Sequence, residues 1–429
     1  MGRAGIWKRL LLILAGFLVA WLAFAMFFDP DLVDDSDLAL PERQIDPAQN
    51  PYPEIRDLVF SEEELKIAYA IPFDHKLRLG HLPAEELLVR HRSGLDRFER
   101  YAAMRDWKQD ELLGDQMDSS YVGACVALSN LKRYEAIKLA SKGDLAAAID
   151  AAMSLHEFAA GFRSAGNRLG PSYTAASLIS RGGTFALLYL LNKYELGDDD
   201  LVILASRLEN PVLSRNNLPE TLRAEYACVL ATSSRSTFDR EMRRRILSTG
   251  KSDIPRWLPT CLVYKPNLTH ELYADLFRVA IRTGDRDYRG LTTVISETAA
   301  SDWRKRWAHR LAGNALGYEV FTDLEQTQYY LEKTFVTRVE LALLRARVAM
   351  ERHRLEHGNW PQDLAALVPA YLAEVPVDPM DGKSIRYDVK RRVIYSVGKD
   401  FVDDGGEAPS EPGSLKNEWE IIIELEPAE

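Results

Sequence analysis

Through the middle of the chain, apolar positions recur at three- and four-residue steps, broken by short runs of Gly, Pro or Asp. This is the pattern of helices that bury one face. From Ser61 to about residue 316 it predicts helices over 84–107, 117–141, 144–163, 172–194, 219–233, 237–249, 269–283 and 302–316. Local signals support the boundaries. Ser61, with Glu64 three residues on, makes a capping-box pattern at one helix start. Gly143 ends one helix and Asp144 caps the next, whose Ala148, Ala152 and Leu155 form a narrow stripe that admits a close neighbour. Many short antiparallel helices pack most simply as an irregular bundle or a stack of hairpins. No 34-residue period runs through them, which argues against a regular repeat array.

The pattern changes near the C-terminus. Phe335, Val339, Leu343, Ala346 and Met350 predict a helix over 334–357, stopped by Gly358. A short helix follows Trp360-Pro361 and carries Leu364, Leu367 and Leu372. The run Val375 to Lys383 is too rich in Pro and Asp for regular structure and reads as a shaped loop turning at Asp381-Gly382. Then the period falls to two. Ile385, Tyr387 and Val389 share one strand face, and Val393, Tyr395 and Val397 share another, with Lys390-Arg391-Arg392 as the hairpin tip. Trp419, Ile421, Ile423 and Leu425 supply a third strand.

At the other end, Leu10 to Phe28 holds no charge and no strongly polar side chain. As a helix it spans roughly 28 Å, close to a bilayer core. Arg3, Lys8 and Arg9 precede it, and five Asp between Asp29 and Asp37 follow. The asymmetry predicts an N-terminal transmembrane helix in a bacterial inner membrane, N-terminus cytoplasmic, with the bulk periplasmic. A cleaved signal peptide ending at Ala23-Phe24-Ala25 is the competing reading. The expected organisation is an anchor at 1–28, a Pro- and Asp-rich linker at 29–60, an all-helical domain at 61–330 and an α+β domain at 331–429.

Charge sharpens this picture. Of 429 residues, 54 are Lys or Arg and 64 are Asp or Glu, for a net charge of -10. The excess is local: from Asp400 to the end, ten acids face one Lys, so the rest of the chain is nearly neutral. That balance argues against a nucleic-acid partner. Arg243, Arg244, Arg245, Trp257, Tyr264, Trp303, Arg304, Arg306 and Trp307 mix basic and aromatic residues in the middle of the chain. They suit lipid headgroups or a polyanionic polymer; the blander expectation is helix faces whose aromatics pack in the core. Three cysteines, Cys125, Cys228 and Cys261, do not form a disulfide framework, and small buried apolar residues are the expectation for them.

Signals of chemistry are sparse. The sequence lacks a dinucleotide fingerprint, a Walker loop, a GxSxG elbow and HExxH. His353 and His357 sit four apart on one helical face, within reach of one metal ion, but they also occupy a helix C-terminus, where His complements the dipole.

Four stretches carry a resemblance: His357-Gly358-Asn359-Trp360-Pro361, Val377-Asp378-Pro379-Met380-Asp381-Gly382, Tyr395-Ser396-Val397-Gly398-Lys399-Asp400 and Asp403-Asp404-Gly405-Gly406. In this order they resemble the globular end of type II secretion major pseudopilins, over about 90 residues. A similar ending also occurs on large membrane-anchored bacterial proteins, which the chain resembles over more of its length. The resemblance implies a long helix packed on a three-stranded antiparallel sheet, with a calcium-binding loop near the C-terminus. By family position the calcium ligands are Asp400 with Asp403 or Asp404, and the chemistry agrees: hard calcium takes six to eight oxygens on a foldable loop. Glu407 and Glu411 would add oxygens. The start of the chain departs from the family, since Gly2-Arg3-Ala4-Gly5-Ile6 is followed by no Glu-containing pilin motif.

The expectation is therefore a mainly α protein with a pseudopilin-like α+β ending. Its function reads as a non-enzymatic, membrane-anchored periplasmic scaffold with a secretion- or envelope-related partner. An envelope polysaccharide hydrolase and a periplasmic ligand-binding module are the alternatives.

Overall fold

The computed structural model describes residues 3–42, 44–72, 79–104, 107–108, 120–164, 171–215, 217–232, 260–262, 264–299, 303–315, 317–318, 325–406 and 421–425. Helix α1 covers Arg3–Phe27 and is followed by α2 (Tyr52–Arg56), α3 (Glu62–Tyr69), α4 (Leu82–Arg90) and α5 (Arg92–Ala103). The Ser61 capping box that opens α3 is present, with Glu64 N donating to Ser61 Oγ and Ser61 N donating to the Glu64 carboxylate. The single helix expected over 84–107 is two. The break is at His91, whose φ of -97° and ψ of 20° leave the helical conformation and whose ring stacks on Phe60 at 3.9 Å.

Three long helices make the centre of the body: α6 (Ser120–Ser141), α7 (Leu145–Ser164) and α8 (Pro171–Lys193). Asp144 caps α7 by accepting from Ala147 N. The narrow stripe read from Ala148, Ala152 and Leu155 understates what α7 buries, since residues on every face from Ala148 to Arg163 are buried. Its alanines let α6 and α8 close on both sides. One layer of the core is aromatic: Phe98, Trp107, Tyr121, Phe158 and Phe162 stack or meet edge to face. Between α7 and α8 lies a buried polar pair. His156 Nδ1 and Ser180 Oγ are 2.9 Å apart, and a Cβ at Gly183 would sit 2.7 Å from His156 Nε2, so only glycine leaves the ring room. Burial holds the imidazole neutral, with its pKa lowered to about 3.

The chain continues through α9 (Asp198–Leu208), α10 (Pro211–Ser214), α11 (Leu218–Thr232), α12 (Pro266–Arg282), α13 (Tyr288–Ala299), α14 (Trp303–Leu311) and the long α15 (Glu325–His357). The helix expected over 237–249 lies outside the described residues. Strands β1 (Arg386–Asp388), β2 (Val393–Ser396) and β3 (Ile421–Glu424) form one antiparallel sheet in the order β1-β2-β3. Arg386 pairs with Tyr395, and Ser396 pairs with Ile421. The central strand β2 is buried along its whole length. The sheet packs on α15, as expected, and α15 also packs on α8 and α9. Arg347, buried on α15, ties these layers by donating to Asn192 Oδ1 of α8 and to the carbonyl of Leu425 beyond β3.

The N-terminal part of the expected fold and the expected location need correction. Among the described residues, the helix long and apolar enough to cross a membrane is Tyr173–Lys193, within α8, not one at the N-terminus. It passes by length and composition alone, and 67% of its apolar window is buried inside the protein against α6, α7 and α15. Where its side chains are described, α1 contributes the apolar stretch Leu12–Phe27. Its C-terminal end is also docked on the body: Trp21 Nε1 donates to the Leu311 carbonyl at 2.8 Å, and Ala25 is fully buried. A single pass through residues 10–28 with a cytoplasmic N-terminus, and the inner-membrane location built on it, are overturned by this finding. Past α1 the chain stays on the body, with Asn267 donating to the Pro30 carbonyl, Arg278 pairing with Asp37, and Tyr226 donating to Asp35.

Candidate functional site

Two of the four stretches that carried the resemblance meet at one carboxylate. Asp378 sits in the loop between α15 and β1 and is wholly buried. A carboxylate there needs donors on both oxygens, because burial alone favours the neutral acid and pushes its pKa up. The fold supplies them. Asp378 Oδ1 accepts from Met380 N at 2.9 Å and from Ser396 Oγ at 2.8 Å. Its Oδ2 accepts from Val397 N at 3.2 Å and from the Arg386 guanidinium. The loop motif containing Asp378 and the strand motif Tyr395-Ser396-Val397 are thus joined through one side chain.

Arg386, on β1, is the other half of this latch. Besides Asp378 it donates to both oxygens of Asp381, and its Nε lies 3.8 Å from Asp403 Oδ2. Burial opposes ionisation of Asp381, but the Arg386 hydrogen bond, the Lys383 amide and the charges of Arg386 and Lys383 together outweigh it and lower the pKa. The turn closes at Gly382, whose φ of 73° suits a residue without a side chain, and a Cβ there would strike Asp287 of the body at 2.7 Å. The same loop docks on α13. Tyr288 N and Arg289 N donate to the carbonyls of Pro379 and Met380, giving partners to two groups that a helix N-terminus leaves open.

The predicted calcium residues lie beside this latch and are arranged differently. Asp400 Oδ1 accepts from Val402 N within its own turn. Asp403 Oδ1 accepts from the Tyr395 hydroxyl at 3.1 Å and from Gly405 N at 3.2 Å, while its Oδ2 faces Arg386. Asp404 is exposed and adds no third oxygen to a shared centre. Among the described residues, no group of three or more His, Cys, Asp or Glu side chains is placed to hold a metal ion. In the described loop the cation facing Asp403 is the Arg386 guanidinium. Glu407 and Glu411 lie outside the described residues.

Other candidates separate in the same way. His353 and His357 stack at 4.3 Å, but their Nδ1 atoms face the carbonyls of Asn359 and His353 at the end of α15. Cys125 and Cys261 are free thiols, Cys125 buried and Cys261 half-buried, and the side chain of Cys228 is outside the described residues. Tyr264 is buried as expected, whereas Trp307 is exposed. Arg243, Arg244, Arg245 and Trp257 lie outside the described residues. Sequence reading placed Asp378 in a resemblance stretch without giving it a role, and passed over Arg386. The available signal was an acid flanked by Val375, Val377 and Met380, with an Arg eight residues on at the start of a strand.

Comparison with protein-family models, with curated proteins and with solved structures returned no match to this chain. The structure is that of a largely helical protein with a small sheet subdomain against a long helix, and, among the described residues, with one internal helix that meets the length and composition of a membrane span.

Proposed function

We propose that this protein is a non-enzymatic interaction protein whose helical body presents the α15–sheet unit as a recognition cap, and that the cap serves secretion or envelope assembly as the pseudopilin ends it resembles do. The observation that carries this reading is the latch. Motifs that are separate in sequence meet at Asp378, and the acidic groups gathered there are saturated by donors. A carboxylate with four donors is suited to holding loops in place, not to moving a proton. A calcium ion at Asp400, Asp403 and Asp404 would have to draw Asp403 away from Arg386, so in this reading the guanidinium does the loop-holding work.

Photo-crosslinking in intact cells tests it, with the reactive residue placed at exposed Val389 or Val402 of the cap. The expected result is an adduct with a secretion or envelope protein that is lost when Asp378→Ala loosens the cap. Adducts from exposed body positions such as Val202 but none from the cap would overturn the reading.

A further inference from the structure

Helix α14 is the most cationic exposed helix segment of the described body. Trp303–Leu311 reads WRKRWAHRL, with Arg304, Lys305, Arg306 and Arg310 and no acid. Arg304, Lys305 and Arg306 are exposed. Trp307 is 56% exposed and Leu311 57%, one turn apart on the same face. The Arg310 guanidinium lies 5.7 Å from the centre of the Trp307 ring. This cationic surface adjoins an apolar one. Leu311 accepts from Trp21 of α1, and along α1 the side chains of Phe17, Leu18, Val19 and Phe24 stand exposed. Among the described residues, nothing covers them.

We infer that α14, with the neighbouring flank of α1, is a docking surface for the anionic headgroups of a lipid bilayer. The charge selects the occupant, because three adjacent cationic side chains and a fourth one turn on complement phosphates. The apolar side selects it further. Exposed Trp and Leu on a basic helix, continuous with exposed Phe, Leu and Val, match the boundary between headgroups and acyl chains. A nucleic acid offers phosphates but no apolar phase for that flank. The contact is peripheral: it sets α14 on the surface and requires no crossing of the bilayer by α1. It stands independently of the role proposed for the cap.

Flotation of the full chain with vesicles of phosphatidylcholine alone, or mixed with phosphatidylglycerol, tests the inference. Binding to the anionic vesicles is expected to be at least about tenfold stronger, at roughly 1 kcal/mol per cation near the surface, and to weaken as salt rises. Reversing the charges with R304E, K305E and R306E together should abolish the preference. Reversing three exposed lysines elsewhere, with K66E, K142E and K383E, should keep it. All altered side chains are exposed, so circular dichroism should be unchanged in both variants. Brominated lipid should quench less fluorescence in Trp307→Phe than in the parent. Equal binding to both vesicle types overturns the inference, as does a preference that survives the triple reversal or release of bound protein by a short DNA duplex at low concentration.

Discussion

The cap holds two acidic loops a few ångströms apart, and they behave in opposite ways. At 378–381 the acids are sequestered, and each oxygen of Asp378 meets two donors. At 400–404 the acids outnumber them, yet the oxygens of Asp400 and Asp403 turn to backbone N–H groups of their own turn, to the Tyr395 hydroxyl or toward an arginine already engaged by Asp378 and Asp381. The difference teaches that acid density locates charge, while donors within reach decide what the charge does. A cluster rich in Asp remains a solvated turn unless its oxygens converge. A single Asp becomes the organising centre where the fold brings it an Arg, a Ser and two backbone amides.

Removing the centre should therefore have the largest effect. Asp378→Ala leaves Arg386 with a reduced counter-charge, and leaves Ser396 Oγ and two buried N–H groups without an acceptor. Breaking a buried charged network from one side typically costs about 3–5 kcal/mol. Denaturant unfolding of the full chain should show that loss, and hydrogen exchange should speed up at Tyr288 and Arg289, whose amides the loop holds. Asp378→Asn keeps one acceptor oxygen and should lose less. A loss below about 1 kcal/mol for Asp378→Ala, within the range of an ordinary surface change, would erase the distinction between the two loops.

A buried acid in the body sharpens the comparison, because it has the burial of Asp378 without its donors. Glu340 of α15 is buried against α8, with Arg181 Nε at 3.3 Å as its ion-pair partner. Burial raises its pKa from 4.5 to about 7, against the lowering pull of Arg181 and Lys333. The folded state therefore holds this proton more tightly than the unfolded chain does. Stability from this site is full below about pH 4.5 and falls as pH rises toward 7, by up to about 3 kcal/mol. Glu340→Gln should flatten that part of the stability profile while keeping the side chain's shape. His156 works the other way, since its lowered pKa makes stability fall as pH drops below 6.5 toward 3. The Glu340→Gln difference should thus be read between pH 5 and 7 against the parent. A parent-like slope in the variant would mean that Arg181 keeps Glu340 charged.

The sequence made some of this legible and not the rest, for physical reasons. Helices bounded by Gly143-Asp144 or by Gly358 could be placed because caps and breakers act within a few residues. The hairpin could be placed because alternation is local too. Helix α13 escaped notice although Tyr288, Leu291 and Ile295 make a buried stripe at helical spacing, since its Thr residues and Gly290 are weak helix formers and its N-terminus is completed by carbonyls about 90 residues away. Trp307 was expected in a core because composition does not reveal what covers a helix. The apolar start of the chain read as a span because hydropathy ignores docking, while α8 passes the same test from within the body. The latch was hidden for a related reason: Asp378, Arg386 and Ser396 are ordinary residues until the strands pair.

The smallest expected effect concerns the loop that the sequence singled out. For calcium to organise Asp400, Asp403 and Asp404, it must replace the Asp403–Arg386 contact and turn Asp400 away from Val402 N. Asp403 is half-exposed, and Arg386 keeps its two other acids, so that contact contributes at most about 1 kcal/mol. Asp403→Asn should accordingly lower stability by less than about 1 kcal/mol, well below the loss from Asp378→Ala. Thermal melting of the full chain in calcium or in a chelator should superimpose, because the described oxygens have partners within the protein and lack a common centre. If calcium raises the melting temperature by several degrees, and Asp403→Asn removes that rise, the two loops are alike after all. The acids of 400–404 would then converge only when the ion is bound, and the ion, not Arg386, would be the cation that holds them.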